Sequence, residues 1–177
     1  MRKLAVLVCL VASIAARAED KTYVQIPAIP GESADAAHAT WIDAYGLDWN
    51  ITVPTSGGGA GAPQFNAVSF LKGTDKASPL LMNAAGLSTT LSPVVLEVCR
   101  QTAPQQCYFK AELTNAKVTR LDLSGSSCVG TGACTPTQTE SVSFIYSRFK
   151  LTYTPWTGGS PGTPVVRCFD LTTLSAC

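Results

Sequence analysis

Hydrophobic and polar positions alternate through most of the chain with a period of two, the period of a strand with one buried face. "TYVQIPAI" is short and β-rich, and Pro27 and Pro30 end it. In "WIDAYGLDWNITV", Trp41, Tyr45, Leu47 and Trp49 share odd parity, which predicts one aromatic strand face turned to the core. Trp41, Tyr45 and Trp49 also fit helical spacing, but Gly46, Asn50 and the β-branched Ile51-Thr52-Val53 favour strand. "FNAVSFLK" is the next strand, alternating Phe65, Ala67 and Ser69 against Asn66, Val68 and Phe70. "SPVVLEVCR" and "CYFKAELTNAKVTRLDL" read as strands joined by "QTAPQQ". "ESVSFIYSRFKLTYTP" reads as the longest strand. Val142, Phe144 and Tyr146 point one way, and the parity changes before Phe149, Leu151 and Tyr153, as at a β-bulge or a turn of a barrel wall.

One helix interrupts the strands. In "DKASPLLMNAAG", Ser78 is placed to cap, Pro79 to open the first turn and Gly86 to follow the last. At about two turns it needs tertiary packing to persist. "PTSGGGAGAPQ", residues 54–64, is a glycine-rich loop. No GK[ST] and no helix pattern follow it, so phosphate binding is excluded, and a contact arm or a disordered tip is expected.

The N-terminus has a different pattern. Arg2 and Lys3 precede an apolar run from Leu4 to about Ala16, and Ala16-Arg17-Ala18 supplies the small residues of a signal-peptidase site. The run is short for a permanent span. Residues 1–18 are therefore expected to be a secretory signal peptide cut between Ala18 and Glu19, leaving one domain over 19–177. The implied route is general secretion, ending in the periplasm or outside the cell. Without Arg2, Lys3 and Arg17 the formal charge of +1 turns slightly negative, and no basic block remains to bind nucleic acid.

Export agrees with the cysteines. Cys9 lies in the leader, and Cys99, Cys107, Cys128, Cys134, Cys168 and Cys177 remain. An even number in an exported chain reads as a disulfide framework whose pairing the sequence leaves open. The local pairs Cys99–Cys107, Cys128–Cys134 and Cys168–Cys177 are favoured because each closes a short loop. Zinc is the rival, but it normally uses CxxC clusters or several histidines. The single histidine, His38, has Glu32, Asp35 and Asp43 near it in sequence, with no second histidine and no GxSxG serine. It is expected to be a structural or surface residue. Glu97 and Glu112 are expected to be strand charges opposite Lys110 or Lys117 rather than a catalytic pair. No catalytic residue, metal ligand or cofactor site is assigned.

The order of four stretches resembles the Hcp family, the tube-forming component of type VI secretion. They are "IPGESADAAHATWIDAYGLDW", the glycine-rich loop with "FNAVSFLKGTDKASPLLMNAAG", "VVLEVCR" with "YFKAELTNAKVTRLDLSG", and "TESVSFIYSRFKLTYTP". The likeness runs from about Tyr23 to Tyr153. It implies a mainly β fold, a β-barrel of two sheets with one short flanking α-helix. It also implies a non-enzymatic structural and carrier protein: a homo-oligomeric ring of six that stacks into a tube with secreted effectors in its lumen. Gly57, Gly58, Gly59 and Gly61 would then lie in a loop contacting the neighbouring subunit. The leader, the cysteines, loop 128–134 and tail 155–177 depart from the family pattern. They point to an exported relative, with a monomeric, secreted, disulfide-stabilised binding module as the alternative.

Overall fold

The computed structural model describes residues 19–126 and 137–177. The strands are β1 (Asp20–Gln25), β2 (Ile42–Asp48), β3 (Ile51–Thr52), β4 (Thr55–Ser56), β5 (Gly59–Ala60), β6 (Gln64–Phe65) and β7 (Val68–Gly73). After helix α1 (Ala77–Gly86) come β8 (Val94–Arg100), β9 (Gln106–Thr114), β10 (Lys117–Ser126), β11 (Thr137–Ile145) and β12 (Arg148–Tyr153). The tail adds β13 (Trp156–Thr157), β14 (Ser160–Pro161), β15 (Val165–Asp170) and β16 (Ser175–Ala176).

Ten strands form one antiparallel sheet in the order β10-β11-β7-β2-β1-β8-β9-β12-β15-β16. Two tight corners show that it is curled. The β9–β10 link is only Asn115-Ala116, and the β11–β12 link only Tyr146-Ser147, yet each joins strands far apart in that order. So short a connection is possible only if the sheet bends until its two halves face each other. Asn115 makes its corner with φ +52°, and its amide nitrogen donates to Ser147 Oγ at 3.1 Å, tying the corners together. Apolar residues of both halves, among them Val24, Ile42, Phe70, Leu96, Leu113, Val142 and Phe144, meet in one core. The end strands β10 and β16 do not pair with each other, so the barrel stays open along one seam.

The corners correct two sequence expectations. "CYFKAELTNAKVTRLDL" is two strands rather than one. The parity change after Tyr146 is a partner exchange: β11 pairs with β10 and β7, whereas β12 pairs with β9 and β15. It is a turn of the wall and not a bulge, and the longest strand among the described residues is β10.

The aromatic face predicted in "WIDAYGLDWNITV" is also corrected. Ile42 and Ala44 are buried, while Tyr45 is 48% exposed. The ladder with β7 shifts between Tyr45 and Leu47, where Gly46 takes φ +73°. This bulge reverses the parity. Beyond it Leu47 and Trp49 pack against the core, and Trp49 donates its indole N–H to Tyr146 Oη at 2.6 Å.

Helix α1 packs through Ala77, Ser78, Leu81 and Ala84. Its start is capped by Asp75 and not by Ser78. Asp75 Oδ1 accepts from Ala77 N at 2.9 Å, and Ser78 Oγ accepts from Asp75 N at 3.0 Å, a reciprocal arrangement like a capping box. At the other end Gly86 is still helical, and Ser88 takes the left-handed conformation at φ +52°.

Lys72 shares the inner face of β7 with Val68 and Phe70 and is fully buried, as is Glu140 opposite it on β11. Its ammonium reaches Glu140 Oε2 at 2.8 Å, Asp75 Oδ1 at 2.7 Å, Ser78 Oγ at 3.0 Å and Gly73 O at 2.7 Å. Removing one partner of a buried ion pair strands the other charge, which costs about 3–5 kcal/mol, whereas replacing both with apolar groups is often neutral. Lys72→Met should therefore lower unfolding stability in urea by about that amount. Lys72→Met with Glu140→Leu should recover most of the loss. Equal loss in the single and double variants would show that the charge is not what the site depends on.

Candidate functional site

The segment between β1 and β2 builds a closed turn. Gly31 N donates to Thr40 O at 2.7 Å and Ser33 N to Trp41 O at 2.9 Å. A Cβ at Gly31 would stand 2.3 Å from Trp41 O and 2.5 Å from Ile42 Cα, so only glycine fits here. Within the turn Asp35 Oδ1 accepts from Ala37 N, His38 N and His38 Nδ1 at 3.0, 3.1 and 2.9 Å. Asp35 Oδ2 accepts from Tyr23 Oη at 3.1 Å and Gln105 Nε2 at 3.0 Å.

These contacts aim His38 inward. The ring is 3% exposed, so His38 is buried and not a surface residue. It stacks on Tyr23 at 3.9 Å between centroids and meets Trp41 edge-on at 4.9 Å. Its Nε2 lies 3.0 Å from Glu97 Oε2, 3.8 Å from Cys99 Sγ and 4.0 Å from Cys107 Sγ. Glu97 and Cys99 lie two apart on β8, and Cys107 stands opposite Cys99 on β9. The four donor atoms lie within 4.8 Å of one another. Trp156, beyond β12, donates its indole N–H to Cys107 O at 3.3 Å.

Asp35 is a carboxylate in conflict. Burial pushes its pKa up, but the hydrogen bonds from His38, Gln105, Tyr23 and Ala37 N–H outweigh burial and hold it at about 2, below the ordinary 3.8. Burial raises the Tyr23 phenol, and its hydrogen bond to Asp35 adds to that.

The structure joins Cys99 to Cys107 and Cys168 to Cys177, the second pair at the β15–β16 end of the tail. Cys128 and Cys134 lie outside the described residues, as do residues 1–18 with Ala18; Glu19 is described and exposed. Glu97 also pairs with Lys110 at 3.2 Å, and Glu112 with Lys150 at 2.8 Å, so the two glutamates do not form a common site. The cluster of His38 with Glu97 and the cysteines was missed from sequence. Its members come from three elements, and nothing near His38 in the chain signals the other three.

The glycine-rich segment forms a hairpin rather than an open loop. Gly57 and Gly58, both at positive φ, form the two-residue turn of the β4–β5 hairpin, and Gly61 N donates to Pro54 O at 2.7 Å. The tail repeats it. "PTSGGGAGAP" at 54–63 and "PWTGGSPGTP" at 155–164 share the Pro-x-[Thr/Ser]-Gly-Gly frame, and Gly162 N donates to Pro155 O at 2.7 Å. Both glycine pairs take φ near +58° and then near +83° (57° and 85°; 59° and 81°).

Comparison with known proteins follows the same outline. The family described as "Type VI secretion system effector, Hcp" matches residues 23–153. A solved type six secretion system protein superposes with a TM-score of 0.79 at 24% identity, covering 90% of this chain and 100% of its own. Hcp1 from Salmonella typhimurium gives 0.73 at 21% identity, over 89% and 99% of the two chains. A type VI secretion system effector from Yersinia pestis gives 0.65 at 21%, over 84% and 98%. At these identities the solved structures speak for the fold. No curated protein matches the chain.

The depressed Asp35 sets a pH dependence. Its folded pKa lies below its unfolded value, so its contribution is complete above about 4 and is lost as pH falls towards about 2. Stability measured in urea should fall across that window in the wild type, and Asp35→Asn should flatten that part of the profile. Parallel profiles would place the acid sensitivity in other carboxylates.

Proposed function

The chain belongs to the Hcp family of type VI secretion, and from that premise we propose that it is an exported, non-enzymatic structural and carrier protein that acts by self-association. The observation that carries this is the extent of the family match. Residues 23–153 span the curled sheet from within β1 to the end of β12, with α1 and both corners, so eight of the ten strands of the wall lie inside the matched region. The oligomer is a ring, six subunits by the family resemblance, and secreted effectors are its cargo.

Three features support contact with further copies. Strand β10 is a sheet end, and Leu123 on it is 56% exposed. Leu80, Met82 and Leu87 stand exposed on and just after α1. The hairpin of Gly57, Gly58, Gly59 and Gly61 has almost no core of its own and gains most by docking on a neighbour. Export is supported by the basic head, apolar run and Ala16-Arg17-Ala18 at the N-terminus. No helix among the described residues is long and apolar enough to cross a membrane.

The tail favours a second reading, a monomeric secreted binding module. Strand β15 pairs along the whole of β12, β16 pairs on β15, and Phe169 stacks on Phe65 at 5.0 Å. This hairpin lies beyond residue 153 and occupies a sheet edge that the matched region alone would leave free.

Light scattering at micromolar concentration separates the two. The ring requires a mass of about six chains, and deleting Gly57–Gly61 should leave a folded barrel with a weaker oligomer. A monomer with and without the deletion would refute the ring and favour the module. Export is tested separately: N-terminal sequencing of the protein recovered outside the cytoplasm should begin at or next to Glu19. Full-length chains starting at Met1 and confined to the cytosol would refute it.

A further inference from the structure

The His38 cluster carries more than a structural bridge. Asp35 Oδ1 can only accept, so the hydrogen between it and His38 sits on Nδ1. The lone pair of Nε2 then points the other way, at Glu97 Oε2 only 3.0 Å off and at two sulfurs. Two acceptors that close need a cation or a proton between them. A carboxylate on Nδ1 that turns Nε2 towards a metal is the usual outer support of a histidine ligand. Here the ring is also held by stacking on Tyr23, and Asp35 by two backbone N–H groups and Gln105.

The spacing suits one ion. A tetrahedral zinc with bonds of about 2.3 Å to sulfur and 2.0–2.1 Å to nitrogen and oxygen separates sulfur from nitrogen by about 3.5 Å, and nitrogen from oxygen by about 3.3 Å. The observed separations are 3.8 and 4.0 Å, and 3.0 Å. The two sulfurs, bonded to each other, stand closer together than two zinc ligands would. We propose that in its dithiol form this protein binds one zinc ion through His38 Nε2, Glu97, Cys99 and Cys107, with Asp35 as the positioning residue.

The chemistry balances. A dithiol reductant passes two electrons and two protons to the Cys99–Cys107 bridge and leaves as its own disulfide. Zinc then displaces the two thiol protons to solvent. A chain that has not yet formed the bridge needs no reductant. Two thiolates, an imidazole and a carboxylate form a zinc-type donor set and not a calcium or magnesium one. Four protein donors close the site, so its role is structural: the ion joins the His38 turn, β8 and β9, the same elements the cluster brings together in the oxidised chain. Glu97 and Cys107 are half-buried, and Lys110 is exposed enough to swing away from Glu97, which gives an entry side. The inference does not depend on whether the chain forms rings.

Cobalt(II), a coloured stand-in for zinc, tests it. The purified protein is reduced with a phosphine, freed of reductant and titrated without oxygen. The expected result is one ion per chain, with sulfur-to-cobalt absorption and the intense visible bands of a tetrahedral site. The bridged protein should show neither. Cys99→Ser should abolish the signal, His38→Gln and Glu97→Gln should alter the visible bands, and Cys168→Ser should leave them unchanged. Asp35→Asn should weaken binding by about 10–100-fold with the bands retained. Absence of the bands in the reduced wild type, or their persistence in both Cys99→Ser and His38→Gln, overturns the proposal. Should the variants fail to fold, thermal unfolding of the wild type decides: zinc should raise the midpoint of the reduced protein and leave that of the bridged protein unchanged, and no rise overturns the proposal.

Discussion

The buried ammonium of Lys72 is the constraint around which the sheet is set. A charge with no access to water is tolerable only when oxygens converge on it, and here they come from β7, β11 and the start of α1. Strand β7 lies between β2 and β11 and so joins the two sides of the sheet. Sliding it by one residue would turn Lys72 outward and Leu71, now 45% exposed, inward, leaving Glu140 buried without its partner. The register of β7, and through it the facing of Val68 and Phe70, is therefore specified by electrostatics as well as by apolar burial. Asp75 and Ser78 serve twice, as partners of Lys72 and as the helix start, so the same few atoms also settle where α1 begins.

Curvature comes from the corners. With Asn115-Ala116 and Tyr146-Ser147 as the only links, β10 and β12 must return across the core from β9 and β11. Backbone pairing makes the corners firm: Leu91 and Ala116 exchange N–H···O bonds at 2.8 Å, and Ser147 N donates to Thr114 O at 3.0 Å. The seam left by this curl would expose β12, and the tail fills that place with β15. Phe169 brings an aromatic ring to Trp49, Tyr146, Phe149 and Phe65, a cluster already formed where the bulged β2 passes the second corner. The tail thus extends the barrel wall rather than hanging from it.

Much of this was legible in the sequence, and the misses share a cause. Alternation located β1, β7, β8 and β11, the order of motifs identified the fold, and the parity break after Tyr146 was visible. Its meaning was not, because exchanging partners depends on strands distant in the chain. Tyr45 was assigned inward because a single residue, Gly46, reverses the parity of β2. The cap was assigned to Ser78, but Asp75, three residues earlier, takes the Ala77 N–H, and Ser78 Oγ instead accepts from Asp75 N and from Lys72. The second glycine hairpin had a plain signal, the repeated Pro-x-[Thr/Ser]-Gly-Gly frame, which matters only when residues 54–63 and 155–164 are set side by side. The His38 cluster had none. Glu97, Cys99 and Cys107 lie 59 to 69 residues from it.

The bridges matter less to global stability than to local geometry. They close separations of 8 and 9 residues, for which chain entropy supplies roughly 2–3 kcal/mol each, and both join strands already paired through the backbone. What the Cys99–Cys107 link adds is position. It holds the ends of β8 and β9 under the His38 ring, and Trp156 of the tail hairpin closes over Cys107 from the other side. Trp156 lies just beyond the matched region, which ends at Tyr153.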